Sequence, residues 1–208
     1  FAAVPLNFGV RPRVLGVDTG SWSRIALAEQ AKFADVSATF TPNLKHTKSQ
    51  RDLWTRIFDE AAAFAARNHA EVDYVYVCTN ETMRGSQISL DPPLPAPPSS
   101  PSSPITKPLI VVADATSDLL SRRINLAKYG VVFASGGKNI GPAGFTVVLA
   151  RKDLVHDRAA SPHLPGIMSW REMAQLRPFC ANIYNTPCML SIGVAKLVLE
   201  DTLARGGV

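Results

Sequence analysis

Short apolar runs alternate with amphipathic stretches along most of this chain. Residues 14–17 are an apolar run closed by Asp18-Thr-Gly-Ser-Trp22, and they predict a short buried strand. Residues 23–33 follow with helical spacing, with Ile25, Leu27, Ala28 and Ala31 on one side. Residues 35–40 alternate as a strand does. Residues 51–67 predict an amphipathic helix, because Leu53, Trp54, Ile57, Phe58, Ala61 and Phe64 recur at the spacing of a single stripe. Four further apolar runs, 72–78, 109–113, 131–134 and 145–150, predict strands. Near-continuous apolar strands alternating with helices imply a sheet covered on both faces. The expected fold class is therefore α/β, a mostly parallel sheet flanked by helices.

Residues 91–108 break the pattern. Eight of the 16 prolines and four serines fall there, a composition that cannot pack a core and predicts an extended or disordered surface excursion. A domain linker or an insertion fits; the strand that follows at once favours a Pro/Ser-rich surface insertion. Residues 186–205 predict a closing helix, with Pro187 in its first turn and Gly206-Gly207 ending it.

At 208 residues, 46% hydrophobic and 19% charged, the chain has the composition of a globular protein that buries a substantial core. Its net charge of +5 comes from scattered residues, which points to small anionic ligands rather than nucleic acid. No apolar run approaches the roughly 20 residues of a membrane span, and residues 1–5 lack the pattern of a signal peptide. The start without methionine suggests a fragment or a processed chain. Cys78, Cys180 and Cys188 cannot all pair and show no C-x-x-C spacing, so small apolar residues with reduced thiols in a cytoplasmic protein are expected. His46, His69, His156 and His163 have no metal-ligand spacing and are expected on the surface or in loops.

Four predicted strands end in polar or glycine-rich turns: Asp18-Thr-Gly-Ser-Trp22, Thr79-Asn-Glu-Thr82, Asp114-Ala-Thr-Ser117 and Ser135-Gly-Gly-Lys138. Ligands of α/β folds gather at the carboxyl ends of strands. The last turn continues as Asn139-Ile-Gly-Pro-Ala-Gly144 and sets a lysine among glycines. A buried Lys138 is expected in such a turn, where an unpaired ammonium is costly and an imine to a carbonyl cofactor removes the charge. Gly136, Gly137, Gly141 and Gly144 are expected to let a flat ring approach the backbone. Lysine, aspartate, threonine and tryptophan at neighbouring strand ends suit pyridoxal 5′-phosphate (PLP). Lysine forms the imine, a carboxylate keeps the pyridine nitrogen protonated, a threonine hydroxyl reaches the phenolic oxygen or phosphate, and an indole stacks on the ring. Plainer readings stand beside these: a solvated turn lysine, an Asp114 that caps its turn, a core Trp22, a turn-forming Thr82. Asn185-Thr186-Pro187 has the pattern of a helix start, which also favours anions.

With these residues in place the chain resembles the phosphoserine aminotransferases, class V aminotransferases among the fold-type I PLP enzymes. The matching segments are Phe1-Ala-Ala-Val-Pro-Leu-Asn7, Asp18-x-Gly-x-Trp22, Asn80-Glu-Thr82 with Gly85, Ala113-Asp114 with Leu120-Ser-Arg122, Tyr129-Gly130, Lys138-Asn-Ile-Gly-Pro-Ala-Gly144 and Tyr184-Asn-Thr-Pro187. The resemblance implies transfer of the amino group of glutamate to 3-phosphohydroxypyruvate, giving 3-phosphoserine and 2-oxoglutarate in serine biosynthesis. It implies Lys138 as the Schiff-base lysine and proton shuttle, Asp114 as the pyridine-nitrogen partner, Trp22 as the stacking residue and Thr82 as the hydrogen-bonding one. It further implies that Asn185 and Thr186 cross a homodimer interface to hold the neighbouring subunit's cofactor phosphate.

Three departures qualify the resemblance. Gly137 stands where the family usually has a glutamine on the cofactor phosphate, and Arg123 replaces a proline. The chain matches only the central part of the large PLP-binding domain (residues 1–208), without the small C-terminal domain or the segments that recognise the substrate. Alternative readings are another class V enzyme, such as a cysteine desulfurase, and a truncated or diverged non-catalytic copy.

Overall fold

The computed structural model describes residues 1–42, 49–93, 106–175 and 182–208. Its strands are β1 (Arg13–Val17), β2 (Asp35–Phe40), β3 (Tyr74–Cys78), β4 (Asn80–Glu81), β5 (Ser86–Gln87), β6 (Val111–Asp114), β7 (Val131–Ser135) and β8 (Thr146–Ala150). Its helices are α1 (Ala3–Phe8), α2 (Ser21–Gln30), α3 (Gln50–Asn68), α4 (Lys152–His156), α5 (Trp170–Ala174) and α6 (Met189–Ala204). Six strands form one sheet in the order β2-β1-β3-β6-β7-β8, while β4 and β5 make a small antiparallel ribbon. The large sheet is parallel except for β8, which returns antiparallel to β7 with Thr146 opposite Ser135.

Side-chain alternation along the strands fills both faces of the sheet. Leu15, Val17, Val75, Val77, Val111 and Ala113 pack in one core with Leu53, Trp54, Ile57, Ala61 and Phe64 of α3. Each fully buried valine, leucine or isoleucine among them contributes about 1.5–3 kcal/mol. Val14, Tyr74, Tyr76, Val112, Val131 and Phe133 pack in the other core with Phe8, Ala26, Leu27 and Trp170. The amphipathic stripe predicted for α3 is the one buried, except that Phe58 is only partly covered. Ser49 caps this helix by accepting from Asp52 N–H at 3.1 Å.

Other expectations need correction. α2 buries Ser23, Ala26, Leu27 and Gln30, whereas Ile25, Ala28 and Ala31 face solvent. Two polar residues hold core positions on hydrogen bonds accepted by their oxygens: Ser23 Oγ accepts from Thr19 and Gly20 N–H, and Gln30 Oε1 accepts from Tyr74 OH at 2.7 Å, while Gln30 Nε2 finds no partner among the described residues. β8 is not buried on both faces, since it is an edge strand with Val148 and Leu149 exposed. α6 begins at Met189, so Asn185, Thr186 and Pro187 precede the helix instead of forming its first turn. Gly206 and Gly207, at φ +98° and +85°, do follow its end.

Cys78 is buried as expected, but Cys188 is exposed, with its Sγ 3.2 Å from Ser191 Oγ. Cys180 lies outside the described residues, as does His46. His69, His156 and His163 are exposed. Of the expected insertion, residues 94–105 lie outside the described part. Its described ends are tied down: Asp91 to Arg122, Asn125 and Tyr129, and Thr106 to Glu71. Among the described residues no helix is long and apolar enough to cross a membrane.

Candidate active site

β1 is flanked by β2 on one side and β3 on the other, so the chain's direction of travel across the sheet reverses at β1. Crevices form at such a reversal, outside the carboxyl ends of the strands. β1, β3, β6 and β7 are parallel and deliver their four turns to the same edge, where a cleft of about 320 Å³ opens. Trp22, Thr82, Asp114 and Lys138 all line it, together with Asn80 and Thr116. Four of the six residues singled out from the sequence thus come together. Asn185 and Thr186 are exposed and do not belong to this lining.

Trp22 is held at both ends. Its backbone N–H donates to Glu81 Oε2 at 3.0 Å, and its indole Nε1–H donates to Thr82 Oγ1 at 3.0 Å. Trp22 is 41% exposed and lines the cleft, which rules out the core reading. Thr82 Oγ1 accepts from the indole and keeps its own proton to donate. Glu81, fully buried, was not singled out although it sits inside a quoted motif. Its carboxylate accepts from the N–H groups of Trp22 and Ser23 and so satisfies the open donors at the start of α2. Only glycine fits at position 20, where an added Cβ would lie 2.7 Å from the Glu81 carboxyl carbon.

Asp114 ends β6 at the cleft floor and is 5% exposed. Oδ1 accepts from Thr116 N–H at 3.0 Å and from Thr116 Oγ1 at 2.6 Å, and Oδ2 accepts from Tyr76 OH at 3.3 Å. Asp114 therefore caps its own turn and also lines the cleft; the two readings coexist. Burial raises its carboxyl above the usual range, against the opposing hydrogen bonds from Thr116 and Tyr76. The Asp-x-Thr spacing was the available signal for Thr116. Behind this wall, Thr79 donates to the buried Asp118 at 2.6 Å, and Arg122 joins Asp118 to Asp91.

Lys138 is exposed at the cleft rim, so the expectation of a buried lysine is corrected. The glycines around it serve the packing of their own loop. A Cβ on Gly136 would meet the Phe145 ring at 2.4 Å, and Gly141 adopts φ +152°. At Gly137 an added Cβ would make only ordinary contact, with Ala143 at 3.5 Å. Ser191 Oγ donates to Ala143 O at 2.7 Å and fastens the loop to α6. Cys78 also lines the cleft, but burial, with the charges of Asp114 and Glu81, holds its thiol far above the usual range. It lacks the thiolate character of a sulfur nucleophile.

A carboxylate at the floor, an amine at the rim, an indole face and a free hydroxyl are a donor set that fits an aromatic aldehyde with a basic ring nitrogen. The comparisons agree. Residues 69–172 match the family described as aminotransferase class-V. A probable phosphoserine aminotransferase of Caenorhabditis elegans is 33% identical over 210 residues, covering 100% of this chain and 49% of that protein. The phosphoserine aminotransferase of Burkholderia lata is 36% identical over 208 residues, covering 100% and 50%. Among solved structures, phosphoserine aminotransferase from Bacillus circulans subsp. alkalophilus superposes with a TM-score of 0.73 at 26% identity, over 99% of this chain and 50% of that one. The PLP-bound phosphoserine aminotransferase of Trichomonas vaginalis gives 0.73 at 28% identity, over 99% and 54%. The chain spans about half the length of the curated relatives it matches. On its sequence and its fold, it belongs to the class-V aminotransferase family.

Proposed function

We propose that residues 1–208 are the PLP-binding part of the large domain of a phosphoserine transaminase. The reaction passes the amino group of L-glutamate to 3-phosphohydroxypyruvate and yields O-phospho-L-serine and 2-oxoglutarate, a step of serine biosynthesis in the cytoplasm. The observation that carries this reading is the convergence of Lys138, Asp114, Trp22 and Thr82, from four separate turns, on one cleft. The relatives' names supply phosphoserine, and the pair of glutamate and 3-phosphohydroxypyruvate is what the resemblance to the phosphoserine aminotransferases implies.

Bound in the cleft, PLP supplies an electrophilic carbonyl and an electron-withdrawing pyridine ring, which make the α-hydrogen of an attached amino acid acidic. Asp114 holds the proton on the ring nitrogen. Trp22 offers a flat apolar face whose plane is set by its bond to Thr82. Thr82 donates its hydroxyl proton to a ligand oxygen. Lys138 Nζ anchors the cofactor in the resting protein. With its amine free, Lys138 would take the proton from the substrate Cα and return one to the Cα of the product. Phe133 and Cys78 line the same space and keep water from it. Asn185 and Thr186, exposed and outside their own cleft, serve the phosphate site of a second copy in a homodimer.

The test is a visible spectrum of the 208-residue chain mixed with PLP, beside Lys138→Ala. The expected result is an absorbance band that requires Lys138, is bleached by glutamate and is restored by 3-phosphohydroxypyruvate. A spectrum indifferent to Lys138, or restoration by pyruvate just as readily, would overturn the reading.

A further inference from the structure

Both oxygens of Asp114 are anchored by residues to which no role in the site has yet been given. Tyr76 lies on β3, the strand next to β6, is fully buried, and reaches Asp114 Oδ2 with its hydroxyl at 3.3 Å. Thr116 holds Oδ1 through its backbone N–H and its hydroxyl, and its Oγ1 in turn accepts from Ser135 N–H at 3.3 Å. One chain of hydrogen bonds therefore crosses β3, β6 and β7, ending three residues before Lys138. It links the floor of the cleft to the strand that carries the lysine.

Resting on the reading of Asp114 as the cofactor's ring-nitrogen partner, we propose that Tyr76 and Thr116 are positioning residues that fix the Asp114 carboxylate towards the cleft as a charged acceptor. Neither has to touch the cofactor. A carboxylate held from two sides cannot swing away, and each donated hydrogen bond favours its charged form over its neutral one. The neutral form would offer a hydroxyl where the ring nitrogen needs a negative acceptor.

The neighbours of Asp114 leave this arrangement free to act. On β3, Tyr76 and Cys78 both stay protonated, because burial and then the charge of Asp114 push their ionisation upward. Tyr76 is thus always a donor, and Cys78 adds no charge. Glu81 on β4 and Asp118 after β6 are the nearby acids. Lys138 lines the same cleft after β7. Burial opposes the charged form at Asp114, and the hydrogen bonds from Thr116 and Tyr76 act against that rise.

The experiment has an arm that needs no cofactor. The Asp114 carboxyl is labelled with carbon-13 and its titration followed by NMR in the chain alone, for wild type, Tyr76→Phe, Thr116→Val and Thr116→Ser. Tyr76→Phe and Thr116→Val should each move the Asp114 midpoint upward by about half a unit to one unit, the scale of one lost hydrogen bond to a charge. Thr116→Ser, which keeps the hydroxyl, should restore it. Unchanged midpoints in folded variants, judged by circular dichroism, would overturn the proposal.

A second arm measures PLP retention and the pH dependence of the bound chromophore for the same variants and for Asp114→Asn. Tyr76→Phe and Thr116→Val should retain PLP about tenfold less well, with the acid limb shifted upward, and Asp114→Asn should lose the limb. If Asp114→Asn binds PLP as wild type does, the assignment of Asp114 fails and the proposed role falls with it. If Asp114→Asn is defective while the two variants match wild type, the proposal alone is wrong.

Discussion

At the scale of single residues, the position before Lys138 offers the sharpest departure from the relatives' pattern. Gly137 is exposed, and an added Cβ would make only ordinary contacts. Gly137→Gln therefore adds an amide donor at the rim without moving the backbone. On the transaminase reading it should tighten PLP retention about tenfold, the scale of one hydrogen bond to a charged group. Equilibrium dialysis against PLP checks this; unchanged or weaker retention means that the amide does not reach the phosphate. Lys138, Asp114, Trp22 and Thr82 were legible in the sequence because each sits at a strand end in a motif of unusual composition. Glu81, Tyr76 and Thr116 were not, because their importance lies in partners contributed by other strands. Lys138 itself was misjudged as buried, since neighbouring glycines look the same whether they serve a ligand or the tight packing of their own loop.

At the scale of elements, α3 and α2 show what periodicity can and cannot tell. The stripe of α3 was legible because its buried residues are nearly all apolar. That of α2 was misread because Ser23 and Gln30 enter the core on hydrogen bonds accepted by their side-chain oxygens, and hydropathy does not register such a partner. The ends of the Pro/Ser-rich segment matter in the same way. Asp91 accepts from Asn125 N–H, Arg122 and Tyr129, and these bonds hold its carboxyl below the usual range although burial acts to raise it. A depressed carboxyl contributes stability that is complete above its unfolded value and is lost as the pH falls through the folded one. Asp91→Asn should thus destabilise the chain by about 1–3 kcal/mol at neutral pH, with the gap narrowing below about pH 4. Urea midpoints at both pH values measure it; an equal gap at the two would refute the assignment to the ionised pair.

At the scale of the whole molecule, α6 stands apart. Apolar residues are spread around its circumference between Lys196, Glu200 and Asp201, yet only Ser191 and Ala195 are buried, while Leu190 and Leu197 are 79% and 65% exposed. An apolar surface of this kind marks an interface, and the proposed homodimer gives it a second copy of the chain as its occupant. Sedimentation should report a dimer for wild type and a monomer for Leu190→Lys combined with Leu197→Lys, with unchanged circular dichroism. A monomeric wild type would remove the dimer. The bond from Glu81 to the start of α2 has one more consequence, for the order in which the fold is made. It spans 58 residues, so a chain leaving the ribosome exposes α2 long before the residue that caps it. Until β3 has docked beside β1, the first amides of α2 have only water to bond to, and the tryptophan wall of the cleft is set only after that docking.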